Sequence, residues 1–397
     1  MGSGTRSRLR WARVVASILA ALVLAGCTDE PTHPASPPAG TASAAATSAG
    51  PHTLTVLGAG DVLLHPPLWT QARADGGTTY DFNKIFAGVR ARVSAADLAV
   101  CHLETPLAPP DGPFTGFPQF SVPPQVAPAI RQTGFDTCST ASNHTLDDAE
   151  PGVYRTLDAL DAAGLHHAGS YRDAVAAATP NIVVVKGVKV AQLSYTFGFN
   201  GLSRPAGKDW IANLIDPTAI IAAARRARQA GAEIVVLSLH WGTEYDHGAN
   251  DDQLRWAREL LAAPEIDLIL GCHAHVVQPF EKIGDKWVAY GMGNEVARHD
   301  DPIDASREGV MPRFTFTKVG PGQWRVTAAE AIPTWVELTP AIRIVDLSAA
   351  LGSNAAAPGV DAGRQAAYRA AYDRISGYLR ARGADAAGLR VVAPGGS

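Results

Sequence analysis

Two short apolar runs constrain this chain more than any other feature, because each is closed by glycine and histidine. Ile266-Asp267-Leu268-Ile269-Leu270 leads into Gly271-Cys272-His273-Ala274-His275. Ile234-Val235-Val236-Leu237-Ser238-Leu239 leads into His240-Trp241-Gly242. Apolar stretches of this length, stopped by glycine, read as buried strands that end in loops. His273 and His275, two apart on extended chain, are expected to project to one side. Neutral imidazole is a common ligand of transition metals. Two buried strands delivering histidine at their C-terminal ends therefore predict one shared site.

The same pattern recurs upstream. Residues 53–57 form a first strand closed by Gly58-Ala59-Gly60-Asp61. A second, 96–101, precedes His102-Leu103-Glu104, and a third, 135–138, precedes the stretch to Asn143-His144. Helices are expected over 81–90, 126–132, 215–230 (capped by Asp216-Pro217) and 252–261. Another follows Asp147 or Asp148 as cap, with Pro151 in its first turn. Residues 181–186 and 188–195 flank Gly187 as a hairpin, and 166–168 is a short strand whose histidines have no neighbours to complete a metal site. The Pro/Gly/Phe-rich stretch 109–124 is a loop expected at the site mouth. Further on, 286–292 reads as a strand, 313–319 and 324–335 as an antiparallel pair, and 364–382 as an amphipathic helix. Strand and helix alternate before an antiparallel section, so the class is α/β, with sheets covered by helices.

In a mostly parallel sheet, C-terminal strand ends share one edge. Asp61, Glu104, Asn143, His144, His240, His273 and His275 should converge there. Two carboxylates, an amide oxygen and several imidazoles suit divalent Mn, Zn or Fe, one ion or two. Calcium prefers an all-oxygen shell.

The N-terminus carries Arg6, Arg8, Arg10 and Arg13, then an apolar stretch over 14–23, then Leu24-Ala25-Gly26-Cys27. This reads as a bacterial lipoprotein signal, cleaved before Cys27 and acylated on its thiol; a plain secretory signal is the alternative. Residues 28–51 are a Pro/Ala/Ser-rich flexible tether. The expected organisation is a main domain over 52–345 and a C-terminal loop and helix over 346–397, lipid-anchored at the extracellular face of the cell membrane. Cys101 and Cys138 form either a disulfide or two buried thiols. Strand alternation predicts that Cys272 points away from the imidazoles into the core. A net charge of −4 over 397 residues gives no basis for nucleic-acid binding. No Gly-x-Ser-x-Gly elbow or Gly-x-x-x-x-Gly-Lys loop is present.

Five segments occur in a telling order: Gly60-Asp61-Val62, His102-Leu103-Glu104-Thr105-Pro106-Leu107, Ser142-Asn143-His144-Thr145-Leu146-Asp147, His240-Trp241-Gly242-Thr243-Glu244-Tyr245 and His273-Ala274-His275-Val276-Val277-Gln278-Pro279. Together they resemble the CapA family of poly-γ-glutamate capsule synthesis proteins, over about residues 53–295. The resemblance implies the calcineurin-like metallophosphoesterase fold, a four-layer sandwich of two β-sheets flanked by helices. It also implies metal-dependent hydrolysis or transfer in capsule or surface-polymer synthesis. By position, Asp61 and His275 would hold one metal, Glu104 would bridge, and Asn143, His240 and His273 would hold the second. His144 would be the general acid. Asp147 would steady its loop. Glu244 and Tyr245 would orient metal-bound imidazoles, or else serve as a salt bridge and a core ring.

The chain departs from the pattern at three places. Leu63 stands where the superfamily has histidine, so one ligand is missing unless His65 reaches back. His102 replaces an asparagine, and Glu295 a phenylalanine. The implied substrate is a phosphoester or an anionic polymer, the latter met by Arg131, Arg204, Arg298 and Arg313. A capsule synthase complex is an implied partner. The alternative is a noncatalytic lipoprotein that binds a cell-wall polymer or a synthase.

Overall fold

Alternation of side chains along the strands sorts this protein into layers. The computed structural model describes residues 52–299, 303–352 and 361–396; the signal segment, Cys27 and the 28–51 tether lie outside the described residues. The strands, in chain order, are β1 (Thr53–Val62), β2 (Leu98–Leu103), β3 (Thr137–Ser139), β4 (His166–Ala168), β5 (Asn181–Val185), β6 (Val188–Thr196), β7 (Ile234–His240), β8 (Leu268–Cys272), β9 (Phe280–Ile283), β10 (Lys286–Ala289), β11 (Asn294–Val296), β12 (Glu308–Gly320), β13 (Gln323–Glu337), β14 (Arg343–Asp346) and β15 (Leu389–Val391). One sheet runs β14-β13-β12-β1-β2-β3-β4, with β11 beside β1 and β15 beside β13; the other runs β5-β6-β7-β8-β10-β9. Strands β1 to β4 are mutually parallel, as are β6 to β8, so each sheet presents its C-terminal strand ends along one edge.

Leu54, Val56, Leu98 and Val100 of the first sheet pack against Val190, Ile234, Val236, Leu268 and Leu270 of the second. Their neighbours in sequence face the other way. Leu57, Ala59 and Ala99 pack with Leu68, Ala72, Val126 and Ile130 of the helices Pro66–Gly76 and Val126–Thr133. Val235, Leu237, Leu239 and Ile269 pack with Ile220, Ala224, Ala257 and Leu260 of Pro217–Gln229 and Asp251–Ala262. The order is helix, sheet, sheet, helix, the expected four layers. Each fully buried Leu, Ile or Val contributes about 1.5–3 kcal/mol. A one-residue register slip would turn every one of them to the wrong face.

Two glycines allow close backbone approach between neighbouring segments of the same sheet. A Cβ on Gly60 would stand 2.1 Å from the Gly293 carbonyl oxygen, and one on Gly271 2.0 Å from that of Tyr290. Cys101 and Cys138 are register partners on β2 and β3 and form a disulfide, with Cα atoms 4.5 Å apart.

Some local expectations fail for visible reasons. The helix expected over 81–90 is two short pieces, Asn83–Phe86 and Arg90–Ser94. Between them Gly88 lies against β14, where a Cβ would stand 2.1 Å from the Ile344 carbonyl oxygen. A helix at Pro66–Gly76, opened by two prolines, had no expected counterpart. Asp148 precedes the helix Ala149–Ala162 without capping it through its side chain. Its carboxylate accepts from Ser121 Oγ at 2.6 Å and pairs with Arg155. Near the C-terminus, Ala362–Arg380 buries Tyr368 and Ile375 against Phe314 and Ala331, and β15 extends the sheet. Among the described residues no helix is long and apolar enough to cross a membrane.

Candidate metal centre

All six expected ligands, Asp61, Glu104, Asn143, His240, His273 and His275, are buried in one place, where the C-terminal strand ends of the two sheets meet. Asp61 gets there through an irregularity. Gly58 pairs with Val100 while Asp61 pairs with His102, so three steps on β1 oppose two on β2. The extra residue is a bulge. It turns Asp61 from the helix-covered face of Leu57 and Ala59 to the face between the sheets.

The His273 and His275 side chains do not converge by strand alternation as expected. Strand β8 ends at Cys272, and the two histidines take left-handed backbone, φ 95° and 55°. Non-glycine residues there cost about 1–3 kcal/mol each and persist only where neighbours hold them. The His273 N–H donates to both Asp61 carboxylate oxygens at 3.3 Å, and Asn294 Nδ2 donates to the His275 carbonyl at 3.3 Å. Cys272 lies in the core as expected, but on the side of the site. The strand face shared by Leu268 and Leu270 carries Cys272 between the sheets. Its thiol lies with Asp61 and His102, the three offering ligand atoms within 4.8 Å of one another.

His275 stands between two carboxylates. Its Nδ1 is 3.0 Å from Asp61 Oδ2 and 3.0 Å from Asn294 Oδ1; its Nε2 is 3.7 Å from Glu104 Oε1. His240 Nε2 lies 2.9 Å from Asn143 Oδ1 and 3.9 Å from Glu104 Oε1. Asn143 Nδ2 donates to Asn200 Oδ1 at 3.2 Å, which keeps Oδ1 facing His240. Glu104, His273 and His275 form a second group of ligand atoms within 4.8 Å.

Burial and mutual charge set the protonation states. Burial pushes Asp61 up, but the hydrogen bond and charge of His275, with His102 and His273, leave it below the ordinary carboxylate range. Burial raises Glu104 well above its ordinary value, against the pull of His275. Burial would lower His275, yet Glu104 and Asp61 raise it to about 10. Burial and neighbouring imidazoles push His240 well down and His273 to about 3, and burial takes His102 to about 4.

The residues fit a bound cation. Both carboxylate oxygens of Glu104 and the Nδ1 of His273 are buried without a hydrogen-bond partner. A buried carboxylate without donors is costly unless paired or bound to a metal. The donor set of carboxylate, amide oxygen and neutral imidazole is one that divalent transition metals take.

His144 sits beside this centre. Its Nδ1 is 2.6 Å from Asp147 Oδ2, which also accepts the Phe120 N–H at 2.8 Å. Phe120, from the loop expected at the mouth, packs edge-on against the His144 ring at 4.8 Å. Tyr245 is 46% exposed and no core ring; its hydroxyl lies 3.3 Å from His299 Nδ1. Glu244 acts on His275 through its charge, which helps to raise that imidazole. It lies exposed in the loop after β7 and makes no hydrogen bond to a site imidazole among the described residues. His65 does not replace the ligand missing at Leu63. Burial and His299 hold it neutral, near 3, and it turns to Phe120, His299 and the Arg298 N–H, which donates to its Nδ1 at 3.3 Å. The arginines expected to meet a polyanion are engaged within the chain: Arg131 with Asp136, Arg204 with Asp209, Arg313 with Glu330. Arg298 holds the His299 carbonyl.

Sequence reasoning missed Asn294, His299 and Phe197. The Phe197 ring lies 4.5 Å from that of His273, and His299 lies 5.3 Å from His275. Asn294 carried a signal, since Gly293-Asn294 closes the strand at 286–292. His299 and Phe197 carried none, because each follows its strand by an irregular path.

Residues 55–299 match the family described as bacterial capsule synthesis protein PGA_cap. The PGA biosynthesis protein CapA of Bacillus subtilis (strain 168) is 30% identical over 200 residues, 50% of this chain and 51% of that protein. The capsule biosynthesis protein CapA of Bacillus anthracis is 31% identical over 177 residues, 42% and 41% respectively. The chain thus spans about half the length of the curated relatives it matches. Among solved structures, the NAD nucleotidase of Haemophilus influenzae aligns with a TM-score of 0.48 at 13% identity, covering 86% of this chain and 64% of that one. The calcineurin-like phosphoesterase YfkN of Bacillus subtilis aligns with a TM-score of 0.42 at 12% identity, covering 83% and 99%.

Proposed function

The chain belongs to the bacterial capsule synthesis protein PGA_cap family, and we propose that it is a metal-dependent hydrolase or transferase acting on a surface polymer or its phosphoester precursor. The observation that carries this reading is the buried Glu104 carboxylate, without a single donor, among three imidazoles and Asp61. A bound cation would satisfy both oxygens.

Asp61 and His275 would hold one ion, Asn143, His240 and His273 a second, with Glu104 reaching both. A divalent ion bound here supplies Lewis acidity and lowers the pKa of water towards neutrality. The chain does the rest. Asp147 holds His144 by Nδ1, so that Nε2 is the nitrogen left to donate a proton to a leaving oxygen. Phe120 packs on that ring and keeps its orientation. Asn294 and Asp61 orient His275 through Nδ1. Because Arg131, Arg204 and Arg313 are already paired, the centre itself, rather than a basic surface, would recognise the anion. The lipoprotein signal ending at Cys27 would place the enzyme at the extracellular face of the membrane, within reach of a capsule synthase.

Metal analysis of the purified protein, followed by turnover of a generic phosphodiester before and after chelation, tests the reading. Stoichiometric divalent metal and chelator-sensitive turnover are expected. Protein free of metal as purified, and unable to bind any, sinks the proposal. In the parent organism, His240→Ala should lower surface γ-linked glutamate; an unchanged level removes the capsule part alone.

A further inference from the structure

His102 stands where the resembled family has asparagine, and it makes two short contacts. Its Nδ1 is 2.8 Å from Ser139 Oγ and its Nε2 is 2.9 Å from His240 Nδ1. Beyond these, His240 Nε2 is 2.9 Å from Asn143 Oδ1, and Ser139 Oγ is 3.2 Å from the Cys101 carbonyl. The line runs Cys101 C=O, Ser139, His102, His240, Asn143, and every member is buried. A neutral imidazole has one N–H and one bare nitrogen, so three hydrogens serve the four contacts, and the direction of one contact sets the next.

Two directions keep both imidazole contacts in the middle of the line satisfied, each leaving one end contact without a hydrogen. In one, the Ser139 hydroxyl donates to His102 Nδ1, His102 Nε2–H donates to His240 Nδ1, and His240 Nε2–H donates to Asn143 Oδ1. In the other, Ser139 turns its hydroxyl to the Cys101 carbonyl and accepts from His102 Nδ1–H. His102 Nε2 then accepts from His240 Nδ1–H, and His240 Nε2 is bare. In that second direction a bare nitrogen and a carbonyl oxygen face each other at 2.9 Å with no hydrogen between them. Two lone pairs at that distance repel unless a cation lies against both.

We propose that Ser139 and His102 are positioning residues, forming a reversible relay that sets the His240 tautomer according to whether the centre holds a metal. This rests on the metal reading above. Without metal the relay runs towards Asn143. With metal it runs back to Cys101, and His240 Nε2 is free to ligate. Each of the three groups keeps one hydrogen; His102 and His240 each change which nitrogen carries it, by exchange with water. Ser139 is the pivot, since only a hydroxyl can donate to His102 in one state and accept from it in the other. Ligating histidines commonly pass their second N–H to such partners, and losing the partner lowers metal affinity about 10–100-fold.

The test is nitrogen NMR on the full-length chain labelled at histidine, metal-free and zinc-loaded. Expected are Nε2–H tautomers for His102 and His240 without zinc, and Nδ1–H tautomers with it. Ser139→Ala should weaken zinc binding about 10–100-fold, and Ser139→Thr, which keeps the hydroxyl, should restore it. Zinc uptake with unchanged tautomers overturns the relay and leaves the metal centre standing, as does undiminished affinity in Ser139→Ala. No zinc uptake by the unmutated chain removes both. The tautomer measurement needs no variant, so misfolding of Ser139→Ala does not spare the proposal.

Discussion

Glu295 offers a measurement that does not depend on any catalytic reading. It lies in β11, wholly buried, and neither carboxylate oxygen has a hydrogen-bond partner. Burial alone raises it from an ordinary 4.5 to about 8. The folded state therefore holds this proton more tightly than the unfolded chain does. Below about pH 4.5 both states are protonated and the group has no effect on stability. Between 4.5 and 8 the unfolded chain releases the proton while the folded one keeps it, so stability falls as pH rises. At about 1.4 kcal/mol per pH unit, the loss reaches roughly 4–5 kcal/mol above pH 8. Glu295→Gln keeps the shape and stays neutral at every pH. Urea unfolding of both proteins in chelator, at about pH 4, 7 and 8.5, should show nearly equal stability at the lowest pH. At pH 8.5 the variant should be the more stable by about 3–5 kcal/mol. A difference between the two that does not change with pH would refute the reasoning, for it would mean the carboxyl ionises as freely in the fold as outside it.

Other outcomes follow from the same geometry. His275, held protonated to about pH 10 by Glu104 and Asp61, must give up its proton to ligate, so zinc binding at pH 7 should release at least one proton; titration calorimetry in buffers of different ionisation heat would read it, and zero release would contradict the assignment of His275 as a ligand. His144→Ala should lower kcat by about 10²–10⁴ with metal content unchanged, and Asp147→Asn by less, in a phosphodiester assay; equal loss of metal in either would make the residue structural instead. Gly271→Ala should destabilise the fold by more than about 3 kcal/mol, since the methyl would sit 2.0 Å from the Tyr290 carbonyl oxygen; a variant unfolding at wild-type denaturant concentration would show that β8 and β10 can part at little expense.

Much of the frame was legible because it rests on local periodicity. The runs that became β1, β2, β7 and β8 are apolar, short and closed by glycine, and solvent exclusion leaves such runs few alternatives. The hairpin of β5 and β6 was legible from a single glycine, and the helix Pro217–Gln229 from Asp216, whose carboxylate does accept the Ala219 N–H at 3.1 Å. Less was legible where an element depends on a distant partner. The 81–90 stretch has helical composition, yet Gly88 lies against β14, more than 250 residues on. Cys101 and Cys138 could be named as candidates for a bond, but only their shared register on β2 and β3 makes it.

The sequence by itself determined which donor side chains stand at or just past the strand ends, because burial and turn chemistry are written residue by residue. Only the tertiary structure decided which way those donors point. A bulge in β1 brings Asp61 in, left-handed backbone swings His273 and His275 over, and the strand face of β8 puts Cys272 with Asp61 and His102. His102, a mismatch when viewed alone, becomes a partner of His240 at 2.9 Å. Direction is set by contacts between strands far apart in the chain, and no local preference encodes those.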